Sequence, residues 1–322
     1  MRLPFAFETP PASKPWRSVV TVVVGLLVVA GVVSAMIVVG TSAVLGAYTA
    51  RLSATFDNAK KIEVEEVFPA EATRPDVPAN ASQNILLMGS DTRGSLSRNI
   101  GDVSGTRSDT IMVVHISAAR DTVHVMSFLR DSWVDIPGLG TAKLNAALAD
   151  GGVPLAVQTI EGLIGARIDR VAIVDFAGFK GLTNALGGVE VDNPVAFEAT
   201  HMKGKTFAQG LNTLTGEEAL AFVRERYAFP DGDYQRVRNQ QIFIKAVLRE
   251  ILSTETLTNP LRLDHLVSTL APFLTLDAGF TSSYAAGMAL QLHNIRMDDV
   301  TFFTAPTLGT GTEGDQSVVY VD

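Results

Sequence analysis

The chain has 322 residues, enough for one or two domains. Hydrophobic residues make up 47% and charged ones 19%, with a mean hydropathy of +0.23, which excludes a mostly disordered chain and is high for a purely soluble one. The net charge of −8 argues against a general nucleic-acid binder, and the absence of Cys excludes thiol nucleophiles, disulfides and Cys-based metal sites.

The excess apolarity lies near the N-terminus. No residue from Ser18 to Ala50 is charged, and Val19–Val39 is almost wholly Val, Leu, Ala, Ile and Gly. About 20 apolar residues span a bilayer, and a signal peptide has a shorter apolar core, so residues 19–47 are predicted to form a single transmembrane helix. Arg2, Lys14 and Arg17 outnumber Glu8 in the arm 1–18. The positive-inside rule then puts that arm in the cytoplasm and everything after the span outside the cell membrane. Little ATP is present there, so any group transfer needs a pre-activated donor.

Residues 48–82 are predicted to be an extracytoplasmic stalk, since Asp57–Ser82 mixes charge and Ala with Pro69, Pro75 and Pro78. One domain follows over 83–322. Its predicted strands are Asn84–Met88, Thr110–Ser117, Thr122–Phe128, Arg170–Phe176 and Thr301–Thr304, each β-branched or aromatic and flanked by turn residues. Its predicted helices are Leu144–Ala149, Pro154–Ile164, Ala177–Leu186, Gly216–Arg224, Tyr234–Ser253, Leu261–Leu270 and Ser282–His293. This mixture fits one α/β domain of the α–β–α sandwich type.

Standard catalytic signatures fail: there is no G-x-S-x-G, H-E-x-x-H, phosphate-binding P-loop or dinucleotide fingerprint, and the five His residues are scattered. What recurs is Arg alternating with Asp at the ends of elements. The first predicted strand runs into Gly89-Ser90-Asp91-Thr92-Arg93, Arg107-Ser108-Asp109 leads into the second, and the third ends at Arg130-Asp131. Loops at strand ends are where α/β sheets gather function. Arg224 and Arg226 share a side only where the chain is extended, and Pro230 and Gly232 favour a helix end there. Asp233 is predicted to cap the next helix, with Arg236 and Gln240 on one face of its first turns. Helix N-termini and guanidinium forks both favour phosphate. An isolated Arg–Asp pair is usually a surface salt bridge, but five such groups in an acidic protein point to a polyanion held with a divalent metal. Asp91 and Asp109 are the best metal pair, and Asp131 is either a third ligand or orients Arg130.

These blocks, in this order, resemble the LytR–CpsA–Psr family. The similarity runs through Gly89–Arg93, Arg107–Thr110, Arg130–Asp131, Lys143–Ala147, Val174–Val191, Lys203–Arg226 and Gly232–Gln241. The resemblance implies an α–β–α sandwich behind one N-terminal anchor. It implies transfer of a glycopolymer (teichoic acid, capsule or arabinogalactan) from a polyprenyl-pyrophosphate carrier to peptidoglycan through a phosphodiester. Mg²⁺, with Mn²⁺ as a substitute, would assist, and the lipid tail would lie in an apolar pocket. By motif, Asp91 and Asp109 match metal ligands, and Asp91, Arg107, Asp109, Arg130 and Asp131 match the catalytic group. Arg93, Arg107, Arg130, Arg224, Arg226, Asp233, Arg236, Arg238 and Gln240 match the pyrophosphate clamp. The family pattern carries Arg directly before the Gln pair, where this chain has Asn239 with Arg238 one residue earlier, which turns that side chain about 100° around the helix. Asp131 and Asp233 both remain open as proton acceptor. Two other readings are a polyprenyl-pyrophosphate phosphatase and a non-enzymatic envelope regulator or lipid sensor. No nucleic-acid partner is implied, and the polymer and oligomeric state are not legible in the sequence.

Overall fold

The computed structural model describes residues 43–90, 108–251, 253, 259–292 and 294–322. A seven-stranded mixed sheet forms its centre. In chain order its strands are β1 (Lys60–Ile62), β2 (Gln83–Ser90), β3 (Ser108–Ile116), β4 (Val123–Phe128), β7 (Arg170–Asp175), β12 (Leu274–Asp277) and β13 (Val300–Thr304). Across the sheet they run β1-β12-β7-β2-β3-β4-β13. Strand β2 pairs in parallel with β7 and antiparallel with β3, so the centre of the sheet has both edge-to-edge directions.

Side chains alternate across this sheet, as the two-residue period of a strand requires. Ile85, Met112, Val114 and Ala172 enter one core, while Leu86, Met88, Ile111, Val113, Val171 and Ile173 enter the other. Helices α1 (Ala43–Asp57), α4 (Phe176–Ala185), α5 (Gly216–Arg224), α6 (Asp233–Ile251), α7 (Pro260–Leu270) and α8 (Ser282–Gln291) close the first core. The short α2 (Val64–Val67) and the long α3 (Leu144–Ile164) close the second. The arrangement is the expected α–β–α sandwich. The two helices predicted at 144–149 and 154–164 are present, joined end to end in α3 across a kink at the non-helical Gly152, whose φ of 67° a side chain would resist.

A second sheet, in the order β14-β15-β5-β6, joins β5 (Ser132–Ile136) and β6 (Gly140–Lys143) to the hairpin β14 (Thr307–Glu313) and β15 (Gln316–Val321). Two small ribbons complete the chain: β8 (Val189–Asn193) with β11 (Gly210–Leu214), and β9 (Phe197–Glu198) with β10 (Thr206–Phe207).

One expectation is corrected. The residues read as a stalk over 48–82 are packed into the domain: Leu52, Phe56, Ala59, Ile62 and Val67 are buried, and β1 adds to the edge of the main sheet beside β12. Arg74 donates from Nη2 to Glu161 Oε1 at 2.6 Å, with both side chains buried. Scattered Pro and charge concealed this docking, because the apolar positions are few and irregularly spaced. The span predicted over 19–47 lies outside the described residues up to its last part, which belongs to α1. Among the described residues no helix is long and apolar enough to cross a membrane.

Candidate functional site

Pairing directions bring the chemistry to one edge of the main sheet. Strands β2, β4, β7 and β13 end there, and β3 and β12 begin there. Arg130 and Asp131 follow β4, Asp175 closes β7, and the backbone of Asp109 opens β3 on this same edge. The Arg130–Asp131 backbone is fixed on both sides. Asn145 N–H donates to the Arg130 carbonyl at 3.1 Å, and Val319 N–H to the Asp131 carbonyl at 2.9 Å.

The opposing wall comes from the α5–α6 connection. Helix α5 stops at Arg224, and Glu225 takes an extended conformation with φ −65° and ψ 130°. The Glu225 side chain turns inward and is fully buried. Its Oε1 accepts from the backbone N–H groups of Arg226, Tyr227 and Ala228 at 3.0, 2.9 and 3.1 Å. Its Oε2 accepts from Thr200 N–H at 2.7 Å. Burial pushes the Glu225 carboxyl up, but the bonds from Thr200, Ala228 and Tyr227 outweigh it and hold the group below its usual range. Gly232, with φ +45°, then lets the chain enter α6.

Arg130, Asp131, Arg226 and Asp233 meet across this gap. Arg130 Nε lies 3.7 Å from Asp131 Oδ2 and 3.9 Å from Asp233 Oδ1; Arg226 Nη1 lies 3.9 Å from each of the same two oxygens. These four contacts are too long for hydrogen bonds, so attraction holds the ring without closing it. Lys143 Nζ approaches Asp131 Oδ1 at 3.4 Å, and Arg236 Nη2 donates to Asp233 Oδ2 at 2.7 Å. Four cations thus surround two carboxylates. Burial raises the Asp233 carboxyl above its usual range, with Arg236 opposing and Asp131 adding to the shift. The ring lines a cleft of 1080 Å³ whose other walls carry Tyr227, Asp231, Tyr234, Thr310, Gln316 and Ser317.

An apolar pocket of 120 Å³ lies along the same helix α6. Leu87, Met112, Phe179, Leu182, Phe243 and Ile244 line it, and Thr110, Asp175, Arg224 and Gln240 are its polar members. Asp233, Arg236, Gln240, Phe243 and Ile244 follow the three- and four-residue spacing of one helical face. One end of that face meets the charged ring and the next turns meet the apolar pocket.

The residues singled out in the sequence divide as follows. Arg130, Asp131, Arg226 and Asp233 come together in the ring. Arg236 supports it from behind Asp233, its side chain only 3% exposed. Arg224 and Gln240 line the apolar pocket instead, with the Arg224 guanidinium 4.8 Å above the Phe176 ring. Arg238 points away to Asp231 and Gln235 and is absent from the cleft lining. Asp233 is the first residue of α6 and binds Arg236, whereas the sequence predicted a cap preceding the helix. Asp91, Arg93 and Arg107 lie outside the described residues, as does the side chain of Asp109. Among the described residues no group of three His, Asp or Glu side chains is placed to hold a metal ion. His115 and His124 are cross-strand partners at the opposite end of β3, where His115 Nδ1 lies 2.8 Å from Asn84 Oδ1. Lys143, Glu225 and Tyr227 were not proposed from sequence. Lys143 and Glu225 stood inside the quoted motifs, but their roles depend on contacts distant in the chain.

Known proteins share this architecture. TagV of Bacillus subtilis superposes with a TM-score of 0.61 at 24% identity, covering 75% of this chain and 91% of that one. A LytR-Csp2A-Psr enzyme from Actinomyces oris superposes with a TM-score of 0.62 at 24% identity, covering 82% of this chain and 92% of that one. Both likenesses concern the fold. In sequence, the cell wall biosynthesis protein LcpA of Corynebacterium glutamicum is 30% identical over 76% of this chain and 54% of its own length. A polyisoprenyl-teichoic acid–peptidoglycan teichoic acid transferase, TagU of Enterococcus faecalis, is 37% identical over 55% of this chain and 56% of its own length. The chain therefore spans about half the length of these two curated relatives. The family model itself matches residues 45–321, from the start of α1 to the end of β15, and the chain belongs to the LytR_cpsA_psr family.

Proposed function

We propose that this protein is an extracytoplasmic phosphotransferase that moves a glycopolymer from a polyprenyl-pyrophosphate carrier to a peptidoglycan hydroxyl. The observation that carries the reading is the shared face of α6, where Asp233 meets the Arg130–Arg226 ring and Gln240, Phe243 and Ile244 line the apolar pocket. A molecule with a doubly charged phosphate head and a prenyl tail fits that sequence of environments. The names of relatives agree with it: TagU of Enterococcus faecalis and of Bacillus mycoides are teichoic acid transferases to peptidoglycan.

In this reading the carrier's pyrophosphate enters the ring, and its oxygens accept from the guanidinium groups of Arg130 and Arg226. Arg226 and Arg130 bind the head, Lys143 and Arg236 hold the carboxylates in place, and Arg224 with Gln240 stands where head gives way to tail. Arg93 and Arg107 add to the clamp. The acceptor hydroxyl oxygen forms a bond to the sugar-bearing phosphorus, and the bond to polyprenyl monophosphate breaks. Asp233, a stronger base than an ordinary carboxylate because it is buried, takes the hydroxyl proton. Such a transition state asks for positioning and charge neutralisation rather than a covalent nucleophile. Mg²⁺, or Mn²⁺ in its place, held by Asp91 and Asp109, would supply further neutralisation of the phosphate charge when bound. Water in place of the sugar hydroxyl would make the same site a pyrophosphatase. The apolar stretch at 19–47 would hold the domain at the membrane that carries the lipid donor.

The test is to incubate the full chain with labelled lipid-linked glycan and purified peptidoglycan. Label entering the wall through a phosphodiester is the expected result. Release of glycan phosphate and polyprenyl monophosphate without wall label would leave a pyrophosphatase, and no turnover would leave a lipid-binding protein.

A further inference from the structure

The polar cleft is far larger than a pyrophosphate needs, and an aromatic ring stands at its rim. Tyr227 is 64% exposed, yet its backbone is held in place, because the buried Glu225 carboxylate accepts from three successive N–H groups around it. Arg226 donates from Nη2 to the Tyr227 hydroxyl at 2.6 Å and places its guanidinium 4.6 Å from the ring centre. The His201 ring meets it edge-on at 6.1 Å. An exposed ring on a loose loop would carry no meaning, but this one is fixed at both its backbone and its hydroxyl. The same cleft is lined by Thr310, Gln316 and Ser317 of the β14–β15 hairpin and by Asn145 of α3. Hydroxyl and amide groups together with a fixed aromatic ring in one cleft are what a pyranose needs. Its C–H face stacks on the ring while its hydroxyls keep hydrogen-bond partners.

We propose that Tyr227, anchored by Glu225 and Arg226, is the stacking platform of a carbohydrate subsite, with the hydroxyl and amide groups that line the same cleft supplying polar contacts. The inference rests on the proposed glycan transfer and deepens it. Tyr227 is bonded directly to Arg226, so a sugar stacked on the ring lies next to the phosphate-binding ring. That sugar belongs either to the donor glycan beside its phosphate or to the acceptor strand delivering its hydroxyl.

The test uses the full chain, without metal or turnover, and two probes. One is chitotetraose, a β-linked N-acetylglucosamine strand like the acceptor; the other is farnesyl-diphospho-N-acetylglucosamine, a short donor. Calorimetric titration of the wild type, Tyr227→Ala and Tyr227→Phe gives the affinities, and thermal melting checks that each variant is folded. The Ala variant is expected to bind at least one probe about tenfold more weakly, while the Phe variant, which keeps the ring, loses less than about threefold. Loss confined to chitotetraose assigns the subsite to the acceptor, and loss confined to the farnesyl probe assigns it to the donor. The proposal is overturned if Tyr227→Ala binds both probes as the wild type does, if the Phe variant loses as much as the Ala variant, or if the wild type binds neither. A failed transfer assay would leave this binding result unaffected, so the two readings fail separately.

Discussion

Replacing Glu225 removes the single carboxylate on which the α5–α6 turn is built. In Glu225→Ala the N–H groups of Thr200, Arg226, Tyr227 and Ala228 lose their acceptor together. A buried donor left unpaired costs about 1–3 kcal/mol, but this turn is only partly buried and water reaches some of its donors, so a loss of about 2–4 kcal/mol is expected. Glu225→Gln is milder. Its amide oxygen can keep the three N–H groups at Oε1, but its NH₂ group then faces Thr200 N–H, which now sits 2.7 Å from Oε2, for a loss of about 1–2 kcal/mol. The pH dependence follows from the sign of the shift. The folded carboxyl titrates below the unfolded one, so its stabilisation is complete at neutral pH and is lost as pH falls through the folded value. Urea unfolding at pH 7 and at about pH 3 checks both points: the variants are expected to be weaker than wild type at neutral pH and to approach it in acid. A Glu225→Ala protein within about 0.5 kcal/mol of wild type at pH 7 would refute the turn's dependence on this group.

Arg226→Lys keeps the charge but loses the planar fork and the bond to Tyr227, and transfer is expected to fall about 10²–10³-fold in kcat/KM, measured with labelled lipid donor. Ile244→Trp pushes an indole into the apolar pocket, and the KM for long-chain donors is expected to rise at least about tenfold while pyrophosphate binding changes little. Asp233→Asn is expected to flatten the acid limb of the kcat/KM–pH profile, a limb that in the wild type lies above the usual aspartate range because burial raises this carboxyl. Chelation by EDTA is expected to abolish transfer, and Mg²⁺ or Mn²⁺ is expected to restore it, as read from wall-bound label.

The charged half of the site was legible because Arg–Asp pairs at strand ends are conspicuous in an acidic chain. Arg130, Asp131, Arg226 and Asp233 converge as that pattern implied, since pairing directions bring the Arg130–Asp131 loop to the sheet edge and the α5–α6 connection carries Arg226 and Asp233 over it. Spacing alone did not separate Arg224 from Arg226: the extended Glu225 between them sends one to the apolar pocket and the other to the cleft. Glu225 was assigned no role from sequence, because only tertiary packing reveals that four backbone donors surround it. Five of the seven strands of the main sheet were found, whereas β1 and β12 were missed: with three and four residues they are too short for a strand pattern to stand out. Strand β14 was hidden by Gly309 and Gly311, which lower strand propensity while the facing β15 supplies the pairing.

The most direct test of the account is a crystal structure of the protein soaked with geranylgeranyl diphosphate. The diphosphate is expected between Arg130 and Arg226, with the prenyl chain running past Gln240 along Leu87, Phe179 and Phe243. A diphosphate bound elsewhere, or a prenyl chain leaving the ring by another route with the α6 pocket closed, would contradict it.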